Sequence, residues 1–193
     1  EEATTNQATA ARRGDAAPRP RFPPPLDPPS GGWVAAGVSP WSGRMRNHEG
    51  VYVAREVEAG AALVAAPGLP DPNFRRTVVL IIEHTATGTL GVVLNRPSDV
   101  PVQDVLPLWG PHTTTPQAVF VGGPMEQRAA LCLAALPAGV DADRTEGMIR
   151  VRGPLALVDL EADPELITPM LRGLRVFAGY AGWGPGQLDE EIE

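Results

Sequence analysis

The chain contains no lysine, since all sixteen basic residues among its 193 are arginine. A Schiff-base lysine, a phosphate-loop lysine and a lysine general base are therefore all excluded. The Gly-x-Ser-x-Gly motif of a serine nucleophile elbow is also missing. Recognition of an anion by a cationic side chain must therefore use arginine, and the enzyme classes that need these lysines or this serine motif are ruled out.

The chain has a single cysteine, Cys132, so it has no internal disulfide, as is typical of a reducing compartment. With Leu131 and Leu133 beside it, Cys132 is expected to pack as a small hydrophobe and not to act as a nucleophile. The histidines are scattered, and we expect a hydrogen-bonded structural role for His84, which follows an apolar strand. Neither His-x-His nor Cys-x-x-Cys spacing occurs, so we expect no metal and no cofactor.

Long apolar segments are absent as well. No run approaches the roughly 18 residues that span a bilayer, and the N-terminus lacks the charged-then-apolar pattern of a secretory signal. We therefore expect a cytoplasmic protein without a membrane partner. Because the first residue is Glu1 and not Met, we also expect the natural protein to begin earlier.

The net charge of −7 is unevenly distributed. Residues 1–50 hold six arginines and five acids, a balance of +1, whereas residues 51–193 hold ten arginines and eighteen acids, a balance of −8. Nucleic acids are bound mainly through their phosphates, so an acidic body is a poor partner for them. With no helix-turn-helix pattern or zinc-finger spacing, we expect no direct contact with nucleic acid.

The composition divides the chain into a tail, residues 1–50, and a single domain, residues 51–193. Eight of the 22 prolines lie in the tail, which shows no hydrophobic period and is expected to be extended and solvated. It is either a featureless linker or a proline-rich docking peptide. Trp33 and Trp41 are unusual in such a segment, and we expect them to pin part of it onto the domain.

Within the domain, residues 77–83 form the clearest strand, continuously apolar and β-branched as in strands buried on both faces. Residues 89–94 return as a second central strand after a short turn, which predicts an antiparallel hairpin. Residues 125–136 fit either a helix or a strand. The sequence also predicts a helical entry at 52–59 and short helices at 102–108 and 163–171. Further strands are predicted at 61–65, 118–121, 147–152, 155–160 and 174–180. The pattern indicates an α+β or mixed α/β fold.

Five separated phrases then occur in one order: 74–78, Glu83-His84, 88–97, Gly122-Gly123-Pro124 and 179–188. In this combination the chain resembles the YqgE/AlgH family of bacterial proteins from about residue 59 onward. The resemblance implies a branched, largely antiparallel sheet with a small closed barrel and flanking short helices, and it implies that the chain continues beyond Glu193. It also implies a strand at 129–135, with Leu131 and Leu133 on one face. Some members carry a transcriptional-regulator label, but the motifs imply no activity.

Asn95-Arg96-Pro97 ends a central strand, where open sheets often bind ligands. Arg96 is suited to clamp a carboxylate or a phosphate; alternatively, Asn95 forms a turn and Arg96 pairs with an acid. The Gly122-Gly123-Pro124 segment either offers backbone N–H groups to an anion or is a tight strand exit that admits no side chain.

The glycines at 182, 184 and 186 lie between a strand and a helix, as in a phosphate loop. Pro185 removes a donor, however, and the acids at 189–191 would repel an anion at the helix start. We predict that these acids cap the helix and that Trp183 packs over the sheet.

The sequence favours a non-enzymatic regulatory or binding protein that acts through an unidentified protein or small molecule. The alternative is an unrecognised enzyme, or a binder of nucleotides or small anions. In either case the candidate ligand-binding residues are Asn95, Arg96, Gly122, Gly123, Trp183 and Gln187.

Overall fold

A computed structural model describes residues 57–192 and, by backbone alone, residues 33–36. The described chain forms ten strands: β1 (Trp33–Ala36), β2 (Ala62–Ala65), β3 (Val78–Thr85), β4 (Gly88–Val93), β5 (Pro97–Pro101), β6 (Ala118–Val121), β7 (Met125–Ala135), β8 (Met148–Arg152), β9 (Leu155–Val158) and β10 (Gly173–Trp183). It also forms three α-helices: α1 (Val102–Val105), α2 (Pro164–Ile167) and α3 (Gln187–Ile192). Single 3₁₀ turns lie at Gly110–His112, Ala142–Arg144 and Thr168–Met170.

The predicted hairpin is confirmed, because β3 and β4 pair antiparallel across the turn before Gly88. All six residues of β4 are buried, as are the four central residues of β3. Both strands therefore lie within a sheet covered on its two faces, which explains their continuous apolar sequence. A bulge between Ile81 and Glu83 shifts the register.

Strand β10 belongs to two sheets, and this makes the sheet branched. Its last three residues, Ala181–Trp183, pair antiparallel with β4. Its earlier part pairs antiparallel with β7, while Phe177 and Ala178 pair in parallel with β6 on the other side. The full order is β1-β2-β3-β4-β10-β7-β9-β8, with β5 and β6 off this path.

In the order of the sheet, strands β3, β4, β10, β7, β9 and β8 curl around an apolar core as a half-barrel. This half-barrel takes the place of the small closed barrel that the resemblance implied. Strands β3 and β4 contribute Leu80, Ile82, Leu90 and Val92 to this core, which Phe120, Phe177 and the partly buried Val151 complete. At the end of β8, the Arg152 side chain forms an ion pair with Glu58. Within the described residues β8 pairs only with β9, so no further strand pairing closes the half-barrel at this edge.

The strand that the resemblance implied at 129–135 is present as part of β7, which begins earlier, at Met125. Leu131 and Leu133 share one face and pack in the half-barrel core, whereas Cys132 and Ala134 face a second core on the other side. The helices are short, with four, four and six residues. The fold is thus mostly antiparallel β-sheet, and α+β describes it only loosely.

Two predicted helices are shorter than expected, for one shared reason. Helix α1 ends at Val105, because Leu106 precedes Pro107 and leaves the helical conformation at φ −135°. Helix α2 ends at Ile167 because a proline again follows two positions later: Pro169 has no N–H to continue the helical bonding, and a 3₁₀ turn follows. Asp163 is its N-cap, since the Asp163 carboxylate accepts the Glu165 N–H at 2.9 Å.

Strand β5 is an element that the sequence did not indicate. Its proline at each end is tolerated because β5 pairs only with β6. The predicted tail lies outside the described residues except for β1, which pairs antiparallel with β2 and places Trp33 opposite Ala65. Trp41 and most of the predicted helical entry at 52–59 also lie outside them. Among the described residues, no helix is long and apolar enough to cross a membrane.

Replacing Gly123 with alanine should destabilise the fold strongly. A Cβ at this position would overlap the Tyr180 carbonyl group, which is backbone and has little freedom to move. We expect the free energy of unfolding in urea to fall by about 3 kcal/mol or more. Gly68→Ala is the matched control, because nothing lies within 4 Å of its added Cβ and its φ is not positive. Equal stability of the two variants would contradict this account of the β6–β10 packing.

Candidate ligand-binding site

Asn95 fixes the start of β3 to the end of β4. Its side-chain Oδ1 accepts the Val78 N–H at 3.0 Å, and its Nδ2 donates to the Arg76 carbonyl at 2.9 Å. Both groups of the carboxamide are therefore engaged by backbone on either side of Thr77. Arg76 adopts a left-handed conformation, φ 59°, which is rare for a residue with a side chain. Asn95 thus stabilises a sharp change in chain direction.

Arg96 holds the loop at residues 71–76. Its Nη2 donates to the Pro72 carbonyl at 3.0 Å and to the Arg75 carbonyl at 3.1 Å. Its own carbonyl accepts the Val121 N–H at 2.8 Å, which ties it to β6. Within residues 57–192 no carboxylate forms an ion pair with Arg96. The guanidinium therefore pairs with backbone carbonyls and not with an acid.

The Gly122-Gly123 segment lies directly against the backbone of β10. The Gly122 N–H is donated to the Ala178 carbonyl at 2.8 Å, and an added Cβ would overlap the Gly179 carbonyl. Gly179 itself has φ 72° and lies at the bulge in the β7–β10 pairing. This geometry is that of a tight strand exit, because the Gly122 N–H is no longer available to an anion.

Arg96 and Gly123 meet at a small surface cleft of about 30 Å³. Its lining combines two valines from β4 and β6 with three polar side chains and the start of β7. The lining residues are Asn73, Val93, Arg96, Val121, Gly123, Pro124 and Gln127. Asn95 and Gly122 are chain neighbours of two lining residues, so four of the six predicted residues lie at or beside this cleft.

Trp183 and Gln187 are elsewhere, where they attach α3 to the sheet. Trp183 is 4% exposed and stacks on Phe74, with ring centroids 5.9 Å apart. Its Nε1 donates to the Glu191 carboxylate at 3.1 Å, and Gln187 Nε2 donates to the same carboxylate at 2.9 Å. Neither residue lines the Arg96 cleft. The predicted set therefore divides between a cleft and a helix anchor.

Glu191 is the residue whose role the sequence interpretation missed. It was grouped with Asp189 and Glu190 as a capping acid, and those two are indeed exposed in the first turn of α3. Glu191 is instead 7% exposed and accepts two side-chain hydrogen bonds. Its position four residues after Gln187 was the available signal, since i and i+4 side chains meet on a helix.

The loop at 71–76 links the two places. Arg96 anchors its backbone on one side, while Phe74 on the other side packs against Trp183 in the core beneath α3. The Thr77 hydroxyl donates to the Phe74 carbonyl at 2.7 Å and completes the turn into β3. One short, hydrogen-bonded segment therefore connects Arg96 to Trp183.

The Cys132 thiol and the His84 imidazole both have structural surroundings. Cys132 is 1% exposed, and burial raises the pKa of its thiol to about 12. His84 Nδ1 lies 2.7 Å from Thr89 Oγ1, and its Nε2 lies 3.8 Å from Asp189, in agreement with a structural histidine. In the part of the chain that the structure describes, no three potential ligands are grouped to hold a metal.

Fold and cleft together define a mostly antiparallel β-protein with a branched sheet, a half-barrel and one small polar cleft where β4, β6 and β7 meet. The family model described as DUF179, AlgH-like, matches residues 62–193. The chain therefore belongs to the YqgE/AlgH family, as the motifs implied.

Similar proteins include UPF0301 proteins of Rhodococcus and Mycolicibacterium species. The chain is 52% identical over 137 residues to one from Rhodococcus opacus, covering 71% of this chain and 68% of that protein. It is 51% identical over 140 residues to one from Mycolicibacterium smegmatis, covering 72% and 70%. Neither name describes an activity.

Two solved structures share the fold. A Corynebacterium diphtheriae protein superposes with a TM-score of 0.71 at 45% identity, covering 73% of this chain and 74% of its own. The AlgH protein from Pseudomonas aeruginosa gives a TM-score of 0.50 at 30% identity, with 68% and 70% covered.

Replacing Asn95 with alanine should loosen the turn into β3. Two backbone groups, the Val78 N–H and the Arg76 carbonyl, lose their partner, so the free energy of unfolding in urea should fall by about 1–2 kcal/mol. Asn73→Ala removes the same chemical group from the adjoining 71–76 loop, where the Asn73 side chain makes no hydrogen bond within the described residues. It should stay within about 0.5 kcal/mol of the parent. Similar losses in both variants would show that the Asn95 bonds contribute nothing.

Cys132 should react with a thiol reagent only when the protein unfolds. The buried thiol stays protonated in the native state until the pH approaches 12, whereas in the unfolded chain it ionises near 9. The unfolded state therefore loses its proton first, and stability should fall as pH rises above about 9. Labelling with a chromogenic disulfide at pH 8 should follow global unfolding in urea. Rapid labelling of the native protein would refute this, and Cys132→Ala should remove the alkaline loss.

Proposed function

We propose that the protein is a non-enzymatic binding protein with a regulatory role, and that its recognition site is the Arg96 cleft. The observation that carries the proposal is the composition of the cleft. It offers a guanidinium, two carboxamides and a small apolar floor, but no side chain that commonly acts as nucleophile or general base. Such a lining is suited to hold a group and not to transform it.

The charge of the cleft favours an anionic group. Arg96 is the one ionisable side chain in the lining, and it is partly exposed. Positive charge at this place stands out against the −8 of residues 51–193, so an acidic group would be drawn to the cleft and away from the rest of the surface. The acidic group comes from a partner protein or from a small ligand.

The small volume of the cleft argues against nucleotide binding. Small-molecule sites that enclose their ligand usually measure several hundred Å³, whereas the cleft measures about 30 Å³. Trp183, which would have supplied a stacking surface for a base, is buried against Phe74. The cleft therefore supports a small-anion site and gives no support to a nucleotide pocket.

The regulatory part of the proposal agrees with the transcriptional-regulator label that the family resemblance carries, but we propose that no DNA is contacted. The acidic domain argues for action through a protein or a small molecule. A cytoplasmic location is proposed on the single free cysteine, which suits a reducing compartment.

A thermal-shift screen with a broad panel of metabolites and acidic peptides tests the proposal. A ligand at a hundredfold excess over its Kd stabilises the native state by about 2.7 kcal/mol, which raises Tm by several degrees for a chain of this size. We expect at least one anionic ligand to do so, with no chemical change in the ligand. Arg144→Ala, an exposed arginine in a 3₁₀ turn, should respond like the parent.

Two results would sink the proposal. One is turnover of a common metabolite that is lost in Arg96→Ala, because it would identify an enzyme. The other is tight binding of duplex DNA that weakens steeply with salt, because it would show that the acidic domain does contact nucleic acid.

A further inference from the structure

We infer that the Arg96 cleft accepts a single carboxylate group, from the C-terminus of a peptide chain or from a small carboxylic acid. The inference rests on the proposed function and names the chemical class of its ligand. It depends on four properties of the cleft: its size, its charge, the donors that remain available and the strain in its walls.

The cleft has room for one functional group. A space of about 30 Å³ admits a carboxylate, while the remainder of the ligand stays outside. Val93 is buried and Val121 is partly buried, so both supply apolar surface in the lining. Part of the lining is therefore apolar, which strengthens a charge pair formed beside it.

The charge of the lining matches one negative charge. Its residues include one cation, Arg96, and no carboxylate. The acids nearest in sequence to the lining residues are Asp71 and Glu126, and neither belongs to the lining. The Asp71 carboxylate accepts the Asn73 N–H at 2.7 Å, and Glu126 is exposed beside Gln127. A single carboxylate would be neutralised by a single guanidinium, whereas a phosphate dianion would keep an excess negative charge.

The available donors also fit a carboxylate. Of the five N–H groups of a guanidinium, the two on Nη2 are given to the Pro72 and Arg75 carbonyls. Those on Nε and Nη1 have no acceptor within residues 57–192, and the carboxamides of Asn73 and Gln127 add two more donor groups to the lining. A carboxylate has two oxygens to satisfy, which this set matches.

A phosphate would need more than the cleft provides. Phosphate sites are commonly built from consecutive backbone N–H groups or a helix N-terminus. Here the Gly122 N–H is already donated to Ala178, and no residue of α1, α2 or α3 belongs to the lining. The backbone part of a phosphate cradle is therefore missing.

Backbone strain occurs next to both walls of the cleft. Arg76, at the end of the loop that contributes Asn73, has φ 59°, and Glu126, directly before Gln127, has φ 45°. These are the two described residues other than glycine with positive φ. Such conformations are costly and concentrate at ligand sites, where they orient neighbouring groups.

A titration of the full ¹⁵N-labelled chain, followed by NMR at constant ionic strength, tests the inference. Acetate represents a small acid, N-acetylglycine represents a chain terminus, and N-acetylglycinamide and inorganic phosphate are the comparison ligands. We expect saturable shifts of the Arg96 Nε–H, the Gln127 side-chain amide and the Gly123 N–H with the two carboxylates. The amide should cause none, and phosphate should bind more weakly than either carboxylate. Tighter binding of N-acetylglycine than of acetate would identify a peptide terminus as the source.

Two variants test whether the carboxylate binds at the cleft. Gln127→Ala removes an exposed donor that no described contact needs for folding, and it should weaken carboxylate binding about tenfold. Arg144→Ala, outside the cleft, should bind like the parent. The inference fails if the cleft resonances do not saturate, if the amide or phosphate binds equally well, or if Gln127→Ala changes nothing. In each of these cases a different ligand found by the thermal-shift screen would leave the proposed binding function intact.

Discussion

The fold depends on the close approach of two backbones, Gly122-Gly123 after β6 and Gly179–Ala181 within β10. No side chain fits between them, because an added Cβ on either glycine of the pair would overlap a β10 carbonyl group. This contact lets β10 pair with β6 and β7 in its first part and with β4 in its last three residues. Two sheets are thereby built on one strand, and the cleft lies where they diverge.

The cleft and the closing helix are consequences of that branching. Since β4 and β6 are brought side by side, the segment that leaves β4 can reach back over the loop before β3, and Asn95 and Arg96 bind that loop through its backbone. The same loop presents Phe74 to Trp183, whose indole nitrogen bonds the buried Glu191 of α3. A ligand that engaged Arg96 would therefore act on a segment coupled to the C-terminal helix. The proposed regulatory role depends on this connection between the cleft and α3.

Much of this could be predicted from local patterns. The β-branched run at 77–83 predicts a buried strand because its pattern leaves no polar face, and its short connection to 89–94 permits only an antiparallel return. Asp163-Pro164-Glu165 predicts a helix start for local reasons. The Asp163 side chain can accept a backbone N–H of the first turn, the Pro164 ring fixes a helical φ, and the Glu165 charge is favourable at a helix N-terminus. Helices α1 and α2 are shorter than predicted, although a proline lies two residues after the end of each, which is also a local signal. Strand β5 had no such signal, since its prolines are tolerated only because it lies at an edge.

The sequence by itself determined the family, the central hairpin, the acidic charge of the domain and the exclusion of lysine chemistry, because each follows from residue identity or from spacing along the chain. Only the tertiary structure decided which of the six candidate residues belong together. Arg96 and Gly123 are 27 positions apart and meet because β4 and β6 become neighbours of β10. Trp183 and Gln187 lie away from Arg96 and Gly123, because the Trp183 indole and the Gln187 carboxamide both donate hydrogen bonds to the buried carboxylate of Glu191. Contacts between distant segments depend on strand order, and strand order here depends on the space left by two glycines.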